Sequence, residues 1–228
     1  MRILAILFIL VGGVVYSQEK GLKVTYERNT RLPPAGNFDT HLYVVGGKSQ
    51  YVYHQKEGKY TTKEDFILTL PYFEYINNYD FNTKKVEENR MMKEGGKLYA
   101  EWNNDIKWEI TDEEKVINGY KVKKAITKSF EIEEGEDYYL GNAVAWFAPD
   151  IPYSTGPARY YGLPGLILEL TYTKSRSGYK VKNIEEITSS DYQFIPLDKE
   201  NKVDEKEDLI YFFHKNPKKV KQILKKKK

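Results

Sequence analysis

The sequence predicts a mainly β protein: a single antiparallel sheet, strongly twisted or curled into a half-barrel, followed by a short C-terminal helix. Three observations predict the sheet. Segments such as Leu22-Lys23-Val24-Thr25-Tyr26-Glu27 alternate apolar and polar residues with the two-residue period of a half-buried strand. Gly, Pro and Asn-Gly turn signals recur between such segments at short intervals. The 20 Tyr, 10 Phe and 3 Trp supply large side chains that suit a sheet with one wet face.

Taken in order, residues 1–17 read as a secretory leader. Arg2 is followed by an apolar run from Ile3 to Val15, with Val15 and Ser17 at the −3 and −1 positions that signal peptidase reads. The run is too short to span a bilayer as a helix. Export implies a periplasmic or outer-membrane-associated protein with no transmembrane segment after cleavage. The complete absence of cysteine removes disulfides, thiolate metal sites, thiol nucleophiles and a lipobox cysteine. The near balance of 36 basic and 33 acidic residues argues against a nucleic-acid partner.

Residues 18–203 form the expected β domain. His41–Val45 and Gln50–His54 flank a hairpin expected to turn on Gly47-Lys48. Residues 56–96 carry a weaker pattern, with short strands at Phe66–Leu70 and Tyr72–Ile76. Lys97–Trp102, Ile106–Ile110 and the two arms around Asn118-Gly119 read as a meander, since Asn-Gly tolerates the positive φ of a tight hairpin. Glu131–Asp137 is an acidic loop tip. Asn142–Phe147, Leu166–Thr173 and Gly178–Thr188 complete the strands, and Leu166, Leu168, Leu170 and Tyr172 share one face.

Residues 204–228 form a separate tail. Leu209, Phe212 and Phe213 predict a helix over Asp204–His214, and eight lysines follow from Lys215 on. Such a tail is either a solvated end or a surface attracted to anionic lipid.

The most distinctive stretch runs from Ala145 to Leu170. Four prolines (149, 152, 157 and 164) and three glycines (156, 162 and 165) interrupt apolar sequence, so it cannot be one regular element. Its Gly162-Leu163-Pro164-Gly165-Leu166-Ile167 hexapeptide, with the upstream Trp146-Phe147-Ala148-Pro149-Asp150-Ile151-Pro152, resembles the GLPGLI family of exported Bacteroidetes proteins. That resemblance implies compartment and lineage, and no catalytic residues. The overall plan is similar to the curved half-barrels of periplasmic lipoprotein carriers.

Three classes of function follow. In the first, a curved sheet holds an apolar ligand, a lipid or acyl chain, with Trp146, Phe147, Leu163, Pro164 and Leu166 as the candidate binding residues. In the second, the 145–170 segment docks onto an envelope protein of an outer-membrane or secretion complex. Hydrolysis is the third and least favoured, because no histidine stands in a nucleophile-elbow, zincin or P-loop motif. No cofactor is implied. His41 and His54 are the candidate metal ligands, on a hairpin register that places them directly opposite each other, with Asp39 or Glu57 as a third ligand. Cleavage after Ser17, leaving Gln18 as a pyroglutamate N-terminus, is the expected outcome of intact-mass analysis of the envelope fraction. A species retaining residues 1–17 contradicts it.

Overall fold

The computed structural model describes residues 19–29, 37–61, 67–70, 72–91, 96–128, 142–173 and 175–204. The expected leader, the acidic tip at 131–137 and nearly all of the expected C-terminal helix lie outside the described residues. Among the described residues there are fourteen strands and no helix. In chain order they are β1 (Lys20–Asn29), β2 (Asn37–Val45), β3 (Lys48–Gln55), β4 (Gly58–Thr61), β5 (Ile67–Leu70), β6 (Phe73–Asp80) and β7 (Lys85–Met91). They continue with β8 (Lys97–Asn103), β9 (Glu109–Ile117), β10 (Tyr120–Lys128), β11 (Asn142–Ala148), β12 (Leu166–Tyr172), β13 (Ser175–Thr188) and β14 (Lys202–Val203).

Twelve strands form one sheet in the order β14-β8-β7-β6-β3-β2-β1-β13-β12-β11-β10-β9, and β4 and β5 form a separate hairpin. All pairs in the large sheet are antiparallel except β14 with β8. The sheet is two meanders joined where β1 pairs with β13 through Lys20↔Thr188 and Val24↔Ile184.

Its curl follows from one short connection. β8 and β9 lie at opposite ends of the sheet, yet only residues 104–108 join them. In a flat sheet, ten strand spacings would put them about 48 Å apart, whereas six residue steps reach about 20 Å at most. The sheet therefore bends until its two ends approach, without closing into a barrel. Register shifts in the β1–β13, β9–β10, β11–β12 and β12–β13 pairs are the local irregularities that let strands bend and twist.

One continuous row marks the inner face: Ala100, Glu88, Asn77, Tyr51, Leu42 and Val24 are cross-strand partners from β8 to β1, and all are buried. On the far side Leu166, Leu168 and Leu170 face the same core, as their alternation predicts. Residues 149–165 fill the inside of the curl. Ile151, Thr155, Ala158, Arg159, Tyr160, Tyr161 and Leu163 are buried there, against β3, β6, β7 and β12.

The outer face is partly covered as well. Residues 189–201 run from the end of β13 back across β2, β3, β6 and β7 to reach β8. Tyr192 stacks on Tyr43 with ring centroids 3.5 Å apart. The buried Gln50 side chain donates to the Ile195 carbonyl and accepts from the Ile195 amide, both at 2.9 Å. Asn89 does the same with Asp198, at 2.7 and 2.6 Å. Each side-chain amide thus behaves as a surrogate peptide group, satisfying backbone that has no neighbouring strand.

Two sequence expectations need correction. The first hairpin turns on Gly46-Gly47, with φ of 60° and 73°, so Val45 pairs with Lys48 and His41 with Val52. Two glycines supply both positive φ values without steric cost, whereas a turn on Gly47-Lys48 would force Lys48 to adopt one. The expected strand at Ile106–Ile110 begins only at Glu109, because 104–108 is the bridging connection. By contrast, Asn118-Gly119 makes the expected tight turn, with φ of 49° and 84°.

The hexapeptide is a close-packed bend. A Cβ on Gly165 would lie 2.2 Å from the Ala148 carbonyl oxygen, and one on Gly156 would lie 2.7 Å from Ile167. Gly165→Val is therefore expected to fold poorly. Leu168 is fully buried, and Leu168→Ala should cost about 2–5 kcal/mol as a cavity mutation. Urea melts of both variants check this, and wild-type midpoints would contradict it.

Candidate functional site

The interior carries a charged cluster that strand patterning did not reveal. Glu88 on β7 is 1% exposed and Arg159 in the 149–165 segment is 2% exposed. Glu88 Oε2 accepts from Tyr75 OH at 2.6 Å, Asn77 Nδ2 at 2.8 Å and Arg159 Nε at 3.0 Å. Its Oε1 accepts from Arg159 Nη2 at 2.8 Å and from Arg90 Nη2. Arg159 thus grips the carboxylate with two parallel bonds, the strong fork geometry of guanidinium and carboxylate. Its guanidinium carbon also lies 4.5 Å from the Trp102 ring centroid, and that of Arg90 4.9 Å from the Tyr75 ring centroid.

Such a carboxylate is spent: five donors hold it away from water, so it anchors the chain. The backbone supports this reading. Ala158, just before Arg159, has φ of 55°, a strained value for a residue with a side chain. One signal in the sequence could have found the cluster. In the apolar stretch 145–170, Arg159 is the sole basic residue, and Glu88 and Arg90 alternate on one face of β7.

Burial dominates the neighbouring phenols. It pushes Tyr26, Tyr51, Tyr75, Tyr161 and Tyr172 well above the ordinary tyrosine range, and raises Tyr160 as well. Tyr26 OH donates to the Ile167 carbonyl at 2.6 Å. These phenols stay neutral at physiological pH, and the buried Tyr51 hydroxyl does so without a hydrogen-bond partner among the described residues.

The expected binding residues part company. Phe147, Leu163 and Leu166 are core. Trp146 is half-buried on β11, with Lys115 Nζ 4.2 Å from its ring centroid. Pro164 is exposed. The structure does not bring the five onto one accessible surface, because neighbours in an extended segment point to alternate sides.

His41 and His54 lie on one face, diagonal across the β2–β3 pair. Each has its own partner: His41 Nδ1 meets Thr25 Oγ1 at 3.3 Å, and His54 Nε2 meets Glu74 Oε2 at 3.3 Å. Burial and then Lys23 lower the His41 pKa. Burial opposes it, but hydrogen bonds from Lys97 and Tyr72 hold the Glu74 pKa low. Asp39 pairs instead with Lys182 at 2.9 Å. Among the described residues no group of three His, Cys, Asp or Glu is placed to hold a metal ion.

The described surface also carries concavities, of which two bear on function. One, of about 290 Å³, lies over β1, β12 and β13 and is lined by polar groups including Glu27, Glu169 and Lys180. The other, of about 360 Å³, lies where three connections meet at one end of the curl. Pro152, Ser154 and Gly162 come from the 149–165 segment, Phe81 and Lys84 from the β6–β7 turn, and Asn104 and Ile106 from the β8–β9 bridge. Gly162 has φ of 89°. Its N–H donates to the Ser154 carbonyl at 3.1 Å, tying the two ends of the segment together beside the cleft.

Comparison with known proteins bears on family and fold. A family described as "Protein of unknown function (Porph_ging)" matches residues 131–169, which include the Gly162–Ile167 hexapeptide. That is a Bacteroidetes-type family without an assigned activity. No curated protein matches the sequence. Two solved structures of PNGF-II, in C2 and P21 crystal forms, share the fold. Their TM-scores are 0.51 and 0.50, at 16% and 15% identity, over 85% and 83% of this chain. The chain spans about a third of PNGF-II, 32% and 31% of the two structures.

Glu88→Ala should cost about 3–5 kcal/mol, since it leaves two buried guanidinium groups without their carboxylate. Arg159→Met should cost less, because Arg90 still pairs with Glu88. Equilibrium urea unfolding of both variants checks the order, and equal small losses would show that the cluster does not anchor the segment.

Proposed function

We propose that the protein is an exported, non-catalytic component of the cell envelope that docks onto a partner through the exposed rim of the 149–165 segment. Membership of the GLPGLI family and removal of residues 1–17 belong to the same proposal. The observation that carries it is the division of labour within the segment. Its buried residues are fixed inside the curl by Arg159, Tyr161 and Leu163, while Pro152, Ser154 and Gly162 open onto the 360 Å³ cleft. Loops held rigidly by a scaffold are where binding residues concentrate.

An apolar ligand held inside the sheet has less support, because the described interior is occupied by the segment's own aromatic and aliphatic side chains. Among the described residues no helix is long and apolar enough to cross a membrane, so helical anchoring is not part of the proposal.

Site-specific photocrosslinking in a Bacteroidetes envelope tests docking. A crosslinker at Pro152 or Ser154 should trap one discrete partner, and a crosslinker at Asn183 on the outer face should not. Equal, diffuse labelling from both faces, or none from the rim, overturns the docking reading.

A further inference from the structure

Four residues that line the cleft at the end of the curl carry side-chain donors: Lys84, Asn104, Tyr79 and Ser154. No carboxylate is among its lining residues. Lys84 has no carboxylate partner among the described residues, although most lysines on the outer face of β7, β8 and the returning segment are paired. It extends from a left-handed position, φ 58°, at the end of the β6–β7 turn.

The orientation of Asn104 is set by its other half. Its Oδ1 accepts the Ile106 N–H at 3.3 Å, which turns Nδ2 toward the cleft. There Nδ2 makes only a long contact, 3.5 Å, to Tyr79 OH. Gly162 makes room for this amide: a Cβ at 162 would sit 3.1 Å from Asn104 Nδ2. Tyr79 OH is therefore an acceptor here, and its own proton has no acceptor among the described residues. Phe81, Ile106 and Pro152 add apolar side chains to the same lining.

Donors without matching acceptors, a single unpaired cation and an apolar wall specify a ligand of corresponding polarity. We infer that this cleft binds an organic monocarboxylate, its carboxylate on Lys84 and Asn104 and its apolar body against Phe81, Ile106 and Pro152. The inference rests on the rim being the recognition face and adds the chemistry of what it recognises. Two sources share that chemistry: a small free acid and the C-terminal carboxylate of a chain ending in an apolar residue.

The test is a ¹H–¹⁵N titration of the full chain with phenylacetate, phenylacetamide, N-acetylphenylalanine and inorganic phosphate. The expected result is that a carboxylate probe moves the Gly162 and Asn104 amides, that phenylacetamide does so at least tenfold more weakly, and that phosphate does not move them. Lys84→Gln should weaken carboxylate binding about tenfold or more, and Ser154→Ala by less, both with unchanged urea midpoints. Tighter binding of phenylacetate assigns a free acid, and tighter binding of N-acetylphenylalanine assigns a chain terminus. Equal binding of acid and amide, equal binding of phosphate, or binding insensitive to Lys84→Gln overturns the inference. Crosslinking from Pro152 in the Lys84→Gln protein separates the two readings: a retained partner leaves docking standing when the carboxylate site has failed.

Discussion

A curled sheet has an inside, and its inner side chains need something to pack against. Twelve strands bent until their ends are bridged by five residues enclose more space than their own inner side chains fill. The chain supplies the filler from within, as residues 149–165 between β11 and β12. An irregular segment in an interior carries backbone groups that no strand satisfies. Here they are met by short-range bonds such as Tyr153 N to the Ile151 carbonyl and Thr155 N to the Tyr153 carbonyl, at 2.7 Å each. The Arg159–Glu88 fork then ties the filler to the far arm of the sheet, 71 residues earlier in sequence. Tyr161 stacks on Tyr79 at 4.4 Å, and its carbonyl accepts from Trp108 on the bridge between β8 and β9. The same contacts that fill the core therefore also fix the rim that carries the cleft.

Charge is distributed by the same logic. Inside, one carboxylate serves two guanidiniums. Outside, Glu87 and Glu101 flank Tyr99 and are matched by Lys85, Lys199 and Lys202. Hydrogen bonds from Lys202, Lys85 and Tyr99 bring the Glu101 pKa down to about 2. A carboxylate depressed in the folded state adds stability above its ordinary range near 4.5, and that contribution is lost as pH falls toward 2. Because Lys199 and Lys202 belong to the returning part of the chain, protonating Glu87 and Glu101 weakens the contacts that hold it to β7 and β8, and their lowered pKa values delay that loss to strong acid.

Strand positions were legible wherever one face is wet, because alternation reports that asymmetry directly. Leu166, Leu168 and Leu170 on one face, and the Asn118-Gly119 turn, needed no tertiary information. The register of β2 and β3 required choosing which two of Gly46, Gly47 and Lys48 form the turn, and the demand for two positive φ values decides it. β7 was illegible for a different reason. Lys85-Val86-Glu87-Glu88-Asn89-Arg90 looks like a solvated strand, and only the distant Arg159 makes Glu88 an interior residue. The cleft was equally hidden, since Lys84, Asn104 and Ser154 meet only once three connections converge. The hexapeptide was correctly singled out, but most of its conspicuous residues are core, and Gly162 reaches the cleft by lacking a side chain.

β1 occupies the middle of the sheet, hydrogen-bonded on one side to β2 and on the other to β13, whose paired residues lie 149 to 168 positions later. The first meander, β1 to β8, can assemble from neighbours in sequence. Its inner face stays uncovered until residue 149 and beyond arrive, and its free edge stays open until β13 does. Contacts of such long range slow folding. The fold is therefore completed only by its last strands, and a chain ending before β13 would keep both an open edge and an uncovered face.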